Sequence, residues 1–450
     1  MSRELRLAIA LVIIELIGAM QTYLVTLIVP MIGRDLDARS LFGVVTSTAT
    51  ASMFLTLPFG PALLRRWHPG RLLAWGTIAF SVGAGVSALA PQIIVFAGGR
   101  VISGLASGVL AAVSMSTVVS YLSPTWRQRV LASISAMWAI AALAGPSYGA
   151  FFTHLLGWRW ALVLYLPVLW LARLVVIRNL GHRGVDPAEA AADENLRRTA
   201  LFSVLLFAGI LVISVSSGVP RATIPLLVGG FIMAAAAVWQ LMPAGTFRAA
   251  SPRRAALLAL FVVSGAYLGA DASIAVIATE VHHFDVAHLG FLLAGSGCAW
   301  SLVGMWTGTH PANARGRFLA RTTSGTLLLA VGFGLLAKSC GLSEGALATG
   351  EFLAGWTVCG VGIGFVYLDS MNRAFEPPET PDGMTDSEVA TASVMSESVP
   401  YALFGAIFSA IISATVVVGH PRVSGVLYLA LAVASLVLIP ITRRALPGAR

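Results

Sequence analysis

The stretch Ala144-Gly145-Pro146-Ser147-Tyr148-Gly149-Ala150 (AGPSYGA) lies inside a long apolar run of the chain. In water, two glycines and a proline this close together would end a helix, because proline removes a backbone donor and glycine costs conformational entropy. In a bilayer, small side chains let neighbouring helices approach closely, and a carbonyl freed by proline finds partners inside the protein. The meaning of the stretch therefore depends on the solvent around it.

The composition places the chain in a membrane. Of its 450 residues, 57% are hydrophobic and 11% are charged, and the mean hydropathy is +0.84. Typical water-soluble domains contain about 25% charged residues, so the composition excludes that class. The first apolar run, residues 6–31, is too long for a cleavable signal peptide and has no small-residue cleavage site. We expect it to be the first membrane span.

Apolar windows of about 20 residues, the length that crosses the hydrocarbon core of a bilayer, recur along the whole chain. They predict an all-α polytopic membrane protein with fourteen transmembrane helices. The expected spans are 6–31, 41–64, 71–90, 92–121, 128–155, 158–178, 199–216, 223–242, 254–279, 287–308, 317–338, 347–370, 388–418 and 422–441.

The positive charges orient these spans. With the N-terminus inside, most of the 29 Lys and Arg residues fall on cytoplasmic segments, Arg173 among them, and Arg100 alone falls within a span. This bias is typical of inserted membrane proteins, and it predicts a multi-pass protein of the cell membrane with both termini cytoplasmic. Because the arginines are scattered over short turns rather than gathered on one face, we expect no nucleic-acid partner.

The chain also repeats itself. The segment from Gly60 to Arg71 closes the second span and the segment from Gly304 to Arg317 closes the tenth, at an offset of about 244 residues that is typical of parallel repeats around a central cavity. The offset predicts an N-terminal six-helix bundle in residues 1–180 and a C-terminal six-helix bundle in residues 253–450. Residues 181–252 would hold a cytoplasmic linker and two additional central helices.

The opening stretch resembles a known motif. Small residues at Ala141, Gly145, Pro146 and Gly149 are similar to the fifth-helix antiporter motif of drug exporters in the major facilitator superfamily, with alanine at some places where the motif has glycine. Ordinary tight packing between helices explains the same spacing, so both interpretations stay open. The resemblance implies the major facilitator fold.

Two further motifs carry the resemblance. The sequence GWRW at residues 157–160 resembles a family signature, and its tryptophans and arginine at a helix start suit an outer interfacial anchor. Residues 20–30 (MQTYLVTLIVP) resemble the first-helix signature of the fourteen-helix drug:proton antiporters. Gln21 stands where that family has an aspartate thought to take part in coupling, and a glutamine cannot carry a proton charge.

The side chains expected to contact substrate lie in the same helices. Arg100 is the first residue of the sequence RVISG, which resembles the RxxxG motif of the fourth helix. An arginine buried in a span is costly, so it is expected to have a partner or a function. It could hydrogen-bond Gln21 and backbone carbonyls, or it could receive an anionic group of the substrate. The substrate-binding candidates are Gln21, Arg100, Met20, Trp138 and Glu351.

Acidic residues inside the spans are candidates for proton coupling, because each is costly if it faces lipid. They are Glu15, Asp271, Glu351, Asp369 and Glu397. Glu15 and Glu397 both lie about 13 Å from the inner face by helix rise, and Asp271 lies toward the outside. We hypothesise that Glu15 or Glu397 takes over coupling from the missing aspartate, with Asp271 as a third candidate. Carboxyls that line a cavity without coupling are the alternative.

Together these features predict a secondary active transporter that exports hydrophobic or amphipathic compounds in exchange for protons by alternating access. The chain has no G-x-x-x-x-G-K-[ST] sequence, so a gradient must supply the energy. One alternative is an atypical major facilitator carrier for an anionic metabolite or lipid. A remote one is a membrane-embedded enzyme or sensor, against which the sequence offers no nucleophile–base grouping or metal triad.

The expected partners follow from this prediction. They are a small hydrophobic or amphipathic substrate, protons and the lipid bilayer. We expect a monomer that is not an enzyme, with no cofactor and no metal site.

Overall fold

The protein is described by a computed structural model that covers residues 2–36, 42–180, 195–216, 222–284, 286–341, 345–379, 381–416 and 422–446. Every regular element in these ranges is helical, which confirms the predicted all-α fold class. Within these ranges, each of the predicted spans overlaps one helix or consecutive short ones. Nine of the described helical segments are long and apolar enough to cross a membrane, by length and composition.

The contacts divide the chain into two units, and the first comprises residues 1–218, 228–242 and 383–394. Its helices, taken within the described ranges, are α1 (Arg3–Asp35), α2 (Phe42–Met53), α3 (Gly60–Arg66), α4 (Pro69–Ala88), α5 (Ile93–Tyr121), α6 (Pro124–Leu156), α7 (Trp158–Ala161), α8 (Leu166–Asn179), α9 (Leu196–Ser216) and most of α10 (Thr223–Leu241).

The second unit comprises residues 219–227, 243–382 and 395–450. Its described helices are α11 (Pro252–Glu280), α12 (Val286–Thr309), α13 (Arg315–Ser339), α14 (Ala346–Phe375), most of α15 (Asp386–Val416), α16 (Arg422–Ser435) and α17 (Leu438–Arg444). Helix α14 is central to this unit, because it packs against α11, α12 and α13.

Helix α6 shows that the AGPSYGA stretch does not interrupt a helix in this protein. It runs without a break from Pro124 to Leu156 and contains the whole AGPSYGA stretch. Ala141, Gly145 and Gly149 are buried and recur every fourth residue, so they form one face without large side chains. The main neighbour of α6 is α1. A small-residue face of this kind lets membrane helices pack closely.

Three glycines of α5 mark the places where its neighbours come closest. A Cβ added to Gly99 would lie 2.7 Å from the carbonyl oxygen of Gly83 on α4. A Cβ on Gly104 would clash with the carbonyl oxygen of Ala49 on α2, and one on Gly108 would also clash with α2. These helices therefore meet backbone to backbone, which only glycine allows.

Helix α14 of the second unit repeats this arrangement. Gly355, Gly360 and Gly364 have the same spacing as the three glycines of α5. A Cβ on Gly355 would lie 2.9 Å from the carbonyl oxygen of Gly332 on α13, whereas one on Gly360 would clash with the carbonyl oxygen of Ser296 on α12. Gly364 also faces α12. Helices α5 and α14 are therefore alike both in the spacing of their glycines and in the neighbouring helices that these glycines contact.

We expect Gly360→Ala to lower the free energy of unfolding by about 1–3 kcal/mol, because the added methyl group forces α12 away from α14. Gly350→Ala on the same helix is the matched control, since a Cβ there meets nothing within 4 Å. Thermal unfolding of both purified variants in detergent, followed by tryptophan fluorescence, measures the difference. Equal melting temperatures would contradict the backbone contact.

Candidate functional site: buried charges of the two units

Glu15 on α1 belongs to a polar network that is buried in the first unit. The indole N–H of Trp138 on α6 donates to its carboxylate, and the guanidinium of Arg173 on α8 lies within electrostatic range. Arg173 is only 4% exposed, and its Nη1 donates to Ser114 Oγ on α5 over 2.8 Å. Four helices therefore contribute to one buried acid–base network.

The assignment of Arg173 to a cytoplasmic turn was wrong. The structure places this residue in the interior of α8, where it is buried. The signal was present in the sequence, because position 173 falls inside the apolar run 158–178. A count of charges that is used to orient the spans does not consider how deep each charge lies. A charged residue within an apolar span is costly unless it has a partner.

The Trp-Arg-Trp motif that follows α6 has a different role from the one its sequence indicates. Trp158 is buried and its Nε1 donates to Asp35 Oδ2 over 2.7 Å. Arg159 Nη1 lies 3.7 Å from the same carboxylate oxygen, and its Nη2 donates to the carbonyl of Ala90 over 3.0 Å. The prediction of an interfacial anchor was therefore wrong for Trp158, and only the exposed Trp160 is placed to contact the membrane interface.

Arg100 on α5 is a second buried cation of the first unit. Its Nε is buried and has no hydrogen-bond partner among the residues that the structure describes. Tyr165, between α7 and α8, is the titratable side chain within its electrostatic range. Gln21 and Met20 are partly buried on α1. The substrate-binding roles of these residues stay predictions.

Glu397 on α15 ends a row of aromatic side chains in the second unit. The hydroxyl of Tyr367 donates to Glu397 Oε2 over 2.7 Å. The Tyr367 ring meets Trp300 edge-on at a centroid distance of 5.6 Å, and Trp300 meets Tyr267 at 5.4 Å. Tyr267 stacks on Trp356 at 4.6 Å. Sequence analysis missed these four buried rings, because their positions on α11, α12 and α14 give no sign that they meet.

Asp271 on α11 differs from its helical neighbours. Ala270 and Ile274 are fully buried, whereas the Asp271 side chain is exposed. Tyr401 on α15 and Tyr428 on α16 are the titratable side chains within its electrostatic range.

The two other acids inside the predicted spans are ion-paired. Glu351 Oε1 lies 2.5 Å from Lys338 Nζ, near the ends of α14 and α13. Asp369 Oδ2 lies 3.5 Å from Arg321 Nη1, and both side chains are buried. The Arg321 guanidinium also lies 4.6 Å from the centre of the Trp306 ring. Both pairs hold neighbouring helices together, and a substrate-binding role for Glu351 stays a prediction.

A comparison with known proteins identifies the family. Residues 11–376 match the family model of the Major Facilitator Superfamily. The chain belongs to this superfamily. It is therefore a multi-pass membrane transporter, as the resemblance of its motifs predicted.

Relatives within the superfamily include efflux proteins. A probable multidrug-efflux transporter of Mycobacterium tuberculosis is 26% identical over 431 residues, which cover 92% of this chain and 89% of that protein. A triacylglyceride transporter of Mycolicibacterium hassiacum is 30% identical over 350 residues, which cover 72% of this chain and 63% of that protein. The solved structure of the human organic anion transporter MFSD10 has the same fold, with a TM-score of 0.70, 15% identity and coverage of 98% of this chain and 100% of that one.

The buried network of this major facilitator protein leads to a stability prediction. We expect Glu15→Gln to lower the free energy of unfolding by about 3–5 kcal/mol, because it leaves the Arg173 charge buried without its counter-charge. The double variant Glu15→Gln/Arg173→Met should recover most of this loss. Thermal unfolding in detergent is measured for the wild type, Glu15→Gln, Arg173→Met and the double variant.

The matched control is Arg159→Gln, which breaks an ion pair whose two side chains are 41% and 51% exposed. We expect that variant to unfold within about 1 kcal/mol of the wild type, because solvent screens exposed pairs. If the double variant loses as much stability as the two single changes added together, Glu15 and Arg173 do not stabilise one another.

Proposed function

We propose that this transporter exports hydrophobic or amphipathic compounds in exchange for protons, by alternating access. The observation that carries the proposal is the presence of a carboxyl group deep in the helices of each unit, at Glu15 and at Glu397. Carboxyl groups in membrane helices are the usual carriers of transported protons, because ionising them there is costly. The similarity to a multidrug-efflux transporter supports the substrate class.

A proton on Glu15 changes the packing of its own unit. The ionised carboxylate attracts the Arg173 guanidinium and so draws α1 toward α8, whereas the neutral carboxyl does not. Arg173 then keeps its hydrogen bond to Ser114 on α5. Protonation thus alters which helices are held together, and a ligand or proton drives a conformational change only through such a difference between states.

A proton on Glu397 acts in a similar way. The carboxylate accepts a hydrogen bond from Tyr367, whose ring is part of the buried aromatic row. A neutral carboxyl is a weaker acceptor, because hydrogen bonds to ionised groups are the stronger ones. Protonation therefore loosens the contact of α15 with α14.

The substrate class follows from the side chains beside the first carboxyl. Trp138 brings an aromatic ring to Glu15, and Met20 adds an adaptable apolar side chain on the same helix as Glu15. An apolar site with few polar groups suits hydrophobic and amphipathic compounds. Arg100, with an unpartnered Nε, would position the polar end of such a compound.

In the proposed mechanism, the two repeats are the parts of the protein that move. Residues 1–180 and 253–450 would form the two six-helix bundles, and residues 181–252 would add the linker and two further helices. Parallel repeats of this kind expose a site to either side of the membrane in turn. We further propose that both termini are cytoplasmic and that a monomer of the cell membrane is the working unit.

Transport by the purified protein in liposomes tests the proposal. We expect an imposed pH gradient to drive uphill movement of at least one cationic or neutral amphiphile from a panel of cationic, neutral and anionic ones. A protonophore should abolish that movement, because it dissipates the gradient. Movement that ignores the gradient would exclude proton coupling, and transport restricted to anions would favour a carrier built around Arg100.

The two carboxyls are tested in the same assay. We expect one of the two variants, Glu15→Gln or Glu397→Gln, to reduce gradient-driven accumulation about tenfold per pH unit, because one coupled proton supplies that free energy. Substrate counterflow without a pH gradient is the control, since it reports binding and passage without net proton movement. Unchanged gradient dependence in both variants would end the assignment of coupling to these residues.

A further inference from the structure

Asp271 is set apart from the other acids of the predicted spans by its lack of a partner. Each of the other four faces a cation or a hydrogen-bond donor. The pairs are Glu15 with Arg173, Glu397 with Tyr367, Glu351 with Lys338 and Asp369 with Arg321. Among the residues that the structure describes, none forms an ion pair or a hydrogen bond with the Asp271 carboxylate.

The depth of Asp271 in its helix matches that of Gln21. Gln21 follows the start of α1 by 18 residues, and Asp271 follows the start of α11 by 19 residues, which correspond to about 27 and 28 Å of helix rise. The matching glycines of α5 and α14 have the same spacing and contact corresponding neighbours in the two units. Asp271 therefore provides, in the second repeat, a carboxyl at the depth where the first repeat has the neutral Gln21.

The titratable groups around Asp271 in the described residues are tyrosines rather than charged side chains. Helix α11 packs against α12, α14, α16 and α17, and Gly269 contacts Phe404 of α15. From these helices the titratable groups that face Asp271 are Tyr401 and Tyr428, and no charged residue within the described ranges reaches it. A carboxylate exposed to acyl chains is strongly unfavourable unless it is hydrated or protonated.

We infer that Asp271, carried by the second unit, is a proton-binding site in addition to the one at Glu15 or Glu397, so that two protons enter for each molecule exported. The inference rests on the proposed proton-coupled function and deepens it by assigning a stoichiometry. Glu15 lies within electrostatic range of the Arg173 guanidinium, whereas the titratable groups within range of Asp271 are the hydroxyls of Tyr401 and Tyr428.

Each cycle is balanced in protons. Asp271 takes one proton from water on the side of high proton concentration and becomes neutral, which removes the cost of its charge in apolar surroundings. It releases the same proton to water on the other side and becomes a carboxylate again. No other bond changes, and the substrate moves in the opposite direction.

The test measures how accumulation depends on the pH gradient. In liposomes with the membrane potential clamped by potassium and valinomycin, substrate accumulation at equilibrium rises about tenfold per pH unit for each coupled proton. We expect about a hundredfold rise per pH unit for the wild type and about tenfold for Asp271→Asn. Glu376→Gln, which neutralises an exposed carboxylate of the same unit, is the matched control and should behave as the wild type.

Two further measurements keep the outcome clear. Substrate counterflow at equal pH shows that Asp271→Asn is folded and passes substrate, and Asp271→Glu should restore the hundredfold dependence. An unchanged gradient dependence in Asp271→Asn, or loss of its counterflow while Asp271→Glu transports normally, would overturn the inference. A wild type that ignores the pH gradient would instead overturn the proposed function itself.

Discussion

A charge inside the hydrocarbon of a bilayer is tolerated only when it is paired, hydrogen-bonded or hydrated, and the placement of the polar side chains in this protein follows from that constraint. Arg173 meets it through Glu15 and Ser114, and Arg321 through Asp369. Each of these pairs joins two different helices. The groups that join these helices are therefore of the same kind as those proposed to bind a proton.

The helices can hold these groups in place because their backbones approach closely. Lipid offers little hydrophobic drive for helix association, so packing and interhelical hydrogen bonds must supply it. Glycines supply the packing where α5 meets α2 and α4, and where α14 meets α12 and α13. Gly355 and Gly360 point to different neighbours from one helix, so that α14 contacts two partners at once. The same helix carries Tyr367 and Asp369, and its fixed position therefore sets the geometry of both polar groups.

The motifs of the sequence divide into those that fix the fold and those that concern transport. The tryptophans of the GWRW motif look alike in the sequence, yet Trp158 is buried against Asp35 whereas Trp160 is exposed. Gly145 and Gly149 of the AGPSYGA stretch belong to a buried small-residue face within an unbroken helix. Gln21 is the opposite case, because it occupies a motif position that carries an acid in the family. Asp271 lies at a similar depth of its own helix but belongs to no motif.

The sequence by itself determined the membrane setting, the helical spans and the family, because these depend on runs of apolar residues and on local motifs that are continuous in the chain. It also identified the costly acids, since a carboxyl in an apolar run is visible without any structure. Only the tertiary structure decided which partner each acid has. Arg173 and Glu15 are far apart in the chain, as are Tyr367 and Trp300, and the side of a helix on which a neighbour packs is not encoded in the hydropathy of either helix. Ion pairs and ring contacts act over a few ångströms in space, so they exist only once the helices have packed.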